Sequence, residues 1–207
     1  MSAHGFTLIE ILCALLIIGV LALLAGTSIG SMTARADSLT CLSNLRQVGV
    51  AARTFVGENN GRLPSSSHHR ASDGSSLSWT NTLAEYLGSD FIGRCPSQDA
   101  HPAKVTYGWN DLVTDTSGAG ISVSLCRAPS STILVAELAA NQIAEHFHFR
   151  GAIRNGRLTF NQFRGMVAVE LHGESANYLF VDGHVESLSP GEIQRRLTPV
   201  NSTLIHP

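Results

Sequence analysis

The chain has 207 residues, of which 43% are hydrophobic and only 14% are charged, and its net charge is −2. A charged share far below the usual value of about 25% excludes a disordered chain and a coiled coil. The slightly acidic balance argues against a nucleic-acid-binding protein, which would carry a basic surface. The length predicts one domain, or one domain with an appendage.

The N-terminal segment is the most apolar part of the chain. Residues 6–25 read FTLIEILCALLIIGVLALLA, and Glu10 is their single charged residue. A run of this length is long enough to cross a bilayer as a helix. A core helix would not be apolar on every face, and a cleaved secretory signal would need basic residues before a shorter apolar core. The sequence therefore predicts a transmembrane helix over residues 6–25.

The residues around the start of this run carry a specific pattern. The sequence GFTLIE at positions 5–10 resembles the processing signal of type IV prepilins, although a histidine precedes the glycine where that family usually has lysine or arginine. The resemblance implies that a prepilin peptidase removes residues 1–5 as a leader by cutting between Gly5 and Phe6, and that the new Phe6 amine is methylated. It also implies that Glu10 pairs with the N-terminal ammonium of a neighbouring subunit during filament assembly.

After residue 25 the sequence becomes polar but keeps a helical pattern. Apolar residues recur at three- and four-residue steps, which is typical of an amphipathic helix. These residues are Leu39, Leu42, Leu45, Val48, Ala52, Phe55 and Val56. The sequence NNG at positions 59–61 favours a helix end, and Pro64 prevents resumption. We therefore expect an amphipathic helix half over residues 26–58, packed on a globular head over residues 59–207.

The head has several predicted elements. A short helix is expected over residues 78–87, loop anchors at residues 94–97 and 107–110, a strand at residues 133–136, and a capped helix from Ser189 to about Leu197. The sequence Asp182-Gly183 lies between two β-rich runs and indicates a hairpin with a type I′ turn. The predicted fold class is α+β, with a long N-terminal helix on a small antiparallel sheet.

A second resemblance involves the C-terminal part of the head. His172, nine further residues and then Asp182-Gly183 form a His-x9-Asp-Gly signature that is similar to one found in a family of prepilin-like proteins. Other short motifs occur in the same order as in that family. They lie at residues 41–47, 62–64, 79–87, 95–97, 107–110, 129–134 and 180–186. The resemblance implies a pilin-like fold and a subunit related to the major pseudopilin of type II secretion.

The same signature raises the question of a metal or catalytic site. His172, Asp182 and His184 are weak candidate ligands, because imidazole and carboxylate together can bind zinc or another divalent ion. The preferred interpretation is structural: turn geometry alone explains Asp182 and Gly183, and His172 hydrogen-bonds a hairpin carbonyl or Asp182. We therefore expect no catalytic residues, no cofactor and no metal, and no Walker A or C-x2-C motif occurs in the chain.

The resemblance also bears on the cysteines. Cys13 lies in the predicted span, and three cysteines lie outside it, where disulfides can form. The family places cysteines in the helix and in the Cys-Pro-Ser loop, which implies a Cys41–Cys95 disulfide. A Cys95–Cys126 disulfide is the alternative.

Together, the two resemblances imply a structural subunit of a type II secretion pseudopilus or type IV pilus-like filament, and not an enzyme. The implied partners are the prepilin peptidase/methylase, other pseudopilin subunits and the inner-membrane assembly platform. The implied location is a single-pass inner-membrane protein with a periplasmic head. Two alternatives remain open: a pilin-anchored extracytoplasmic module that binds glycan or metal, and a hydrolase that uses His172 and Asp182.

Overall fold

The structure is a computed structural model that describes residues 5, 7–66, 78–88, 91, 93–153, 157–199 and 202–207, without the side chains of residues 24–31. Internal contacts divide the chain into two compact units, Met1–Ala36 and Asp37–Pro207. The N-terminal helix, α1, spans Leu8–Glu58 and so contributes to both units. Its residues 37–58 belong to the same unit as the head.

The end of α1 follows from the residues that come after it. Asn60 and Gly61 have positive φ angles of 54° and 75°, and the Gly61 N–H donates to the Val56 carbonyl at 3.0 Å. A left-handed residue with a hydrogen bond back to the last turn is a common way to end a helix. The predicted helix end at Glu58 is therefore confirmed.

The first unit has a surface rich in exposed apolar side chains. Leu8, Leu15 and Leu23 are 79%, 62% and 74% exposed, and their apolar neighbours are similarly open. Within the described part of the chain, no helix has the combined length and apolarity needed to cross a bilayer.

The second unit is built on a five-stranded sheet. The strands are β1 Tyr107–Asn110, β2 Ile133–Glu137, β3 His146–Phe147, β4 Ala176–Phe180 and β5 Val185–Leu188. Their order is β3-β1-β2-β4-β5, and all pairs are antiparallel except β1 with β3. The α+β class is confirmed, with a mixed sheet in place of an antiparallel one. The predicted loop anchor at residues 107–110 is wrong, since it is the fully buried strand β1.

The sheet separates two apolar cores. One face packs against α1 through Leu45, Val48 and Ala52. The opposite face is covered by a second core that includes Phe149, Phe163, Ile193 and Leu197. Successive side chains of a strand point to opposite faces of the sheet, so β4 contributes to both cores. Leu179 lies in the core that faces α1, and Tyr178 lies in the core on the opposite face.

In the described part of the chain, five shorter α-helices follow α1, together with 3-10 turns at Pro96–Gln98, Asp111–Val113 and Val123–Leu125. The α-helices are α2 Trp79–Thr82, α3 Ala84–Leu87, α4 Phe149–Ala152, α5 Phe160–Arg164 and α6 Pro190–Leu197. The predicted helix at residues 78–87 is thus present as two short pieces. The Ser189 hydroxyl caps α6 by accepting from the Glu192 N–H at 3.3 Å. The Glu192 carboxylate bonds Arg195 and Arg196, so it does not return to the cap as a capping box requires.

The β4–β5 connection differs from the prediction. The Phe180 N–H donates to the His184 carbonyl, and the Gly183 N–H donates to the Phe180 carbonyl, both at 2.9 Å. Gly183 has a φ of 93°, whereas Asp182 has no positive φ. A type I′ turn needs positive φ at both central residues. The predicted type I′ turn is therefore wrong, and a three-residue loop with a left-handed glycine connects the strands.

Candidate functional site

The first site is the N-terminal signal. Gly5 is exposed, and Phe6 and residues 1–4 lie outside the described residues. The Glu10 Oε2 accepts from the Thr7 N–H at 2.7 Å and from the Thr7 hydroxyl at 2.8 Å, while the Glu10 N–H approaches the Thr7 hydroxyl at 3.4 Å. This reciprocal pattern is a capping box, which satisfies backbone donors at a helix start. Glu10 therefore helps to form the beginning of α1.

The second site is the hairpin tip, where the Asp-Gly part of the C-terminal signature meets α1. The Arg53 guanidinium donates to the Asp182 carbonyl at 2.8 Å. A side chain on Gly49 would collide with Leu179 at 2.9 Å and with the Gly183 carbonyl at 3.1 Å. Two glycines thus allow the turn and the helix to approach closely, and the arginine holds them together.

The two exposed residues of the turn bond each other. The Asp182 carboxylate accepts from the His184 N–H at 3.1 Å and lies 2.6 Å from the His184 Nδ1. Both side chains are more than a third exposed, so this pair contributes little to stability. It stiffens the turn locally.

His172 has a different partner from the one predicted. Its Nε2 lies 2.7 Å from the Glu137 Oε1, and the two side chains are 1% and 0% exposed. The prediction that His172 bonds Asp182 or a hairpin carbonyl is therefore wrong. The physical reason is burial: the Glu137 carboxylate at the end of β2 must find a donor inside the protein. The Asn177 N–H at the start of β4 also donates to its Oε2 at 3.1 Å.

A disulfide lies beside this buried pair. Cys41 of α1 and Cys95 are joined, with a Cα–Cα distance of 5.2 Å, which is the pairing that the family resemblance implied first. The Cys95 sulfur is 3.7 Å from the His172 Nε2. Cys13 and Cys126 are free thiols, and Cys126 is buried against the Thr132 hydroxyl.

The negative charge of the Glu137 carboxylate acts on two buried phenols. Burial raises the pKa of Tyr107, and so does the negative charge of Glu137. The same two causes, in the same order, raise the pKa of Tyr178. Both hydroxyls therefore stay protonated, and Tyr107 accepts a hydrogen bond from Asn44 of α1 at 3.2 Å. The environment of Glu137 is thus polar but closed to solvent.

Sequence reasoning missed Glu137, because the predicted strand stopped at residue 136. The missed signal was a carboxylate that directly follows four apolar strand residues. Such a residue is buried along with its strand and needs a partner. The structure therefore brings together Cys41, Cys95, Glu137 and His172, and it leaves Asp182 and His184 at the exposed turn.

A pocket of about 450 Å³ adjoins the buried pair. Its lining includes Ser97, Leu138 and Leu171. Leu138 follows Glu137 and Leu171 precedes His172 in the chain, and the Ser97 hydroxyl lies 3.4 Å from the His172 Nδ1. Ser97 therefore lines the pocket and also lies beside the imidazole of His172.

Comparison with known proteins bears on the N-terminal site. Residues 1–26 match the family described as the prokaryotic N-terminal methylation motif. No curated protein and no solved structure matches the chain. The chain thus carries a prepilin-type signal, which implies processing by a prepilin peptidase, a membrane-anchored N-terminus and assembly with other pilin subunits.

Proposed function

We propose that the protein is a structural, non-catalytic subunit of a type II secretion pseudopilus or type IV pilus-like filament. One observation carries this proposal: a prepilin-type signal at residues 1–26 leads directly into a 51-residue helix, and residues 41–56 of that helix pack on the sheet of a pilin-like head. The signature formed by His172, Asp182 and Gly183 supports a pseudopilin-related head.

The exposed apolar surface of the first unit supports filament assembly. Large apolar side chains from Leu8 to Leu23 are at least half exposed. A contiguous apolar surface of this extent marks contact with lipid or with other protein. In the proposed cycle, residues 6–25 lie in the inner membrane as a single span, and the same surface packs against neighbouring helices once the assembly platform extracts the subunit.

Glu10 has a second role in this proposal beyond its cap. Its Oε2 takes both hydrogen bonds from Thr7, and among the described residues Oε1 has no hydrogen bond, so in this proposal Oε1 meets the Phe6 ammonium of a neighbouring subunit. A charge buried between helices is stabilised when an opposite charge pairs with it, and it is strongly destabilising when unpaired. The carboxylate therefore favours the staggered arrangement in which each amine reaches a glutamate.

Two substitutions separate the cap from the charge. Glu10→Gln keeps an oxygen that can accept from Thr7 but removes the negative charge. Thr7→Ala removes both hydrogen bonds of the hydroxyl, leaves the one from the Thr7 N–H and keeps the charge. We expect Glu10→Gln and Glu10→Val to be cleaved normally but to enter filaments poorly, and Thr7→Ala to assemble nearly as the wild type. The measurement is the fraction of each variant in sheared filaments, and assembly of Glu10→Gln at the wild-type level would contradict the charge-pairing role.

Processing gives an independent test. The mature chain should begin with methylated Phe6 and lack residues 1–5, as measured by intact mass on protein extracted from membranes. A mature chain that begins near Ser28 would instead indicate an ordinary secretory signal and remove the basis for the filament proposal.

A further inference from the structure

The buried cluster of the head holds four donors that suit a transition metal. Cys41 lies in α1 and Glu137 at the end of β2. Cys95 directly precedes the turn at Pro96–Gln98, and His172 lies in the segment before β4. One potential ligand atom of each lies within 4.8 Å of the others. We propose that the reduced protein binds one zinc ion at these four side chains, and that the disulfide and the zinc ion are alternative ways to close the same site.

The donor set and its spacing fit tetrahedral zinc. Structural zinc sites take four ligands from cysteine, histidine and carboxylate, with bonds of about 2.0–2.3 Å. Such bonds place the ligand atoms about 3.3–3.8 Å apart in a tetrahedron. The ligand atoms lie within 4.8 Å of one another, so shifts of about 1 Å would bring the most distant of them to this spacing, and the two sulfurs would move apart once their bond is reduced. Two thiolates favour zinc over calcium or magnesium, which prefer oxygen ligands.

The surroundings of the two non-sulfur ligands also suit metal binding. Zinc-bound histidines usually donate their other ring N–H to a nearby acceptor, which fixes the ring. The Ser97 hydroxyl lies 3.4 Å from the His172 Nδ1, which leaves Nε2 to face the cluster. The Glu137 Oε2 is held by the Asn177 N–H at 3.1 Å, which leaves Oε1 to face the metal. Each ligand atom is therefore already oriented.

The exchange between the two closures balances chemically. A dithiol reductant breaks the Cys41–Cys95 bond by thiol–disulfide exchange: the protein gains two electrons and two protons as two thiols, and the reductant leaves as its own disulfide. Zinc then binds both sulfurs and releases the two thiol protons to solvent. The His172 proton moves from Nε2 to Nδ1, so that Nε2 presents its lone pair.

The site is closed but reachable. The side chains of His172 and Glu137 are at most 1% exposed, so a bound ion would be shielded from competing ligands. Ser97, whose hydroxyl lies 3.4 Å from the His172 Nδ1, also lines a pocket of about 450 Å³ beside the cluster. The nascent chain also passes through a reduced state before any disulfide forms, and zinc can bind at that stage.

The test uses the full chain in detergent with Cys13→Ser and Cys126→Ser, which removes the two free thiols. One sample is kept oxidised, and a second is reduced with a phosphine and then freed of it. Each is titrated with zinc alone against a chromogenic chelator, and metal content is measured after desalting. We expect one zinc per reduced chain and none per oxidised chain, and no calcium in either.

The variants identify the ligands. His172→Gln and Glu137→Gln keep the disulfide-forming pair, and each should weaken zinc binding by the reduced chain at least about 100-fold. Ser97→Ala should weaken it about 10-fold, as expected for a residue that only orients a ligand. Cobalt in place of zinc should give a sulfur-to-metal charge-transfer band that weakens in Cys41→Ser and disappears when Cys41 and Cys95 are both replaced with serine. The matched control is Thr80→Ala, because the Thr80 hydroxyl donates to Glu145 outside the cluster. This variant should bind zinc as tightly as the chain without the substitution.

Several results would overturn the proposal. Equal zinc binding by the oxidised and reduced chains would show that the sulfurs are not ligands. Unchanged affinity in both His172→Gln and Glu137→Gln would show a nonspecific dithiol site. A reduced chain that loses its far-ultraviolet circular dichroism and does not regain it with zinc would show that the disulfide is the sole closure. None of these outcomes affects the filament proposal, because assembly is tested at Glu10.

Discussion

The contact between the hairpin tip and α1 makes a quantitative prediction for Gly183→Ala. Gly183 has a φ of 93°, and an added Cβ would lie 2.5 Å from the Arg53 Cδ. The left-handed backbone costs a non-glycine residue about 1–2 kcal/mol. Arg53 must also swing away and lose its 2.8 Å bond to the Asp182 carbonyl, which is partly exposed and so contributes about 1 kcal/mol. We expect a total loss of about 2–3 kcal/mol in the free energy of unfolding.

Denaturant unfolding of the full chain in detergent measures this loss, and two further variants divide it into its parts. In an Arg53→Ala background, Gly183→Ala should cost only the backbone share of about 1–2 kcal/mol, so the double-mutant cycle should show coupling of about 1 kcal/mol. The matched control is Gly191→Ala in α6, where an added Cβ meets nothing within 4 Å. That change should be neutral or stabilising by up to about 1 kcal/mol.

The reasoning would be refuted if Gly183→Ala and Gly191→Ala had the same effect. An unchanged cost of Gly183→Ala in the Arg53→Ala background would refute the steric part alone. Gly183→Val should be worse than Gly183→Ala, because a β-branched side chain is least tolerated at positive φ.

Three further predictions concern the rest of the head. Replacing Cys41 and Cys95 with serine should lower the free energy of unfolding by about 4 kcal/mol, since the bridge closes a loop with a sequence separation of 54 residues; peptide mapping under non-reducing conditions that finds both thiols free would contradict this. His172→Ala should lower the free energy of unfolding by about 3 kcal/mol, because it leaves the buried Glu137 carboxylate with one donor fewer. The glutamine of His172→Gln can still donate to Glu137, so an equal loss in that variant would contradict this explanation. Burial and the Arg127 charge lower the pKa of His206 below its ordinary value of 6.5. The unfolded chain then binds the proton more tightly than the folded chain, so the free energy of unfolding should decrease as the pH falls below 6.5. His206→Asn should therefore show a smaller difference in Tm between pH values above and below 6.5 than the wild type.

Local patterns were enough to predict much of the fold. The periodicity of residues 39–56 and the NNG stop predicted α1 and its end, because both depend on neighbouring residues alone. The strand YGWN at residues 107–110 does not follow from its own residues, since glycine and asparagine are typical of turns. Its burial between β2 and β3 overrides those preferences. The strand at residues 107–110 therefore forms because of its pairing with β2 and β3, and the local sequence alone does not determine it.

The candidate sites show the same division. The capping box of Thr7 and Glu10 is a local S/T-x-x-E pattern, and the sequence alone contains that signal. The pairing of His172 with Glu137 joins residues 35 positions apart, and no local rule selects that carboxylate over Asp182. His172 pairs with Glu137, the buried carboxylate, because a carboxylate without a donor is far more destabilising inside the protein than at its surface.

The two halves of the C-terminal signature attach the head to the same helix at different heights. His172 adjoins the disulfide through Cys95, and that disulfide fixes α1 at Cys41. The Asp-Gly half contacts α1 at Arg53, roughly 18 Å further along at 1.5 Å per residue. One attachment is covalent and the other depends on close approach at a glycine. Together with the apolar packing of Leu45, Val48 and Ala52, these two attachments hold the sheet in a fixed orientation on residues 41–53. In the proposed filament subunit, this fixed orientation would carry a force applied to the helix into the head.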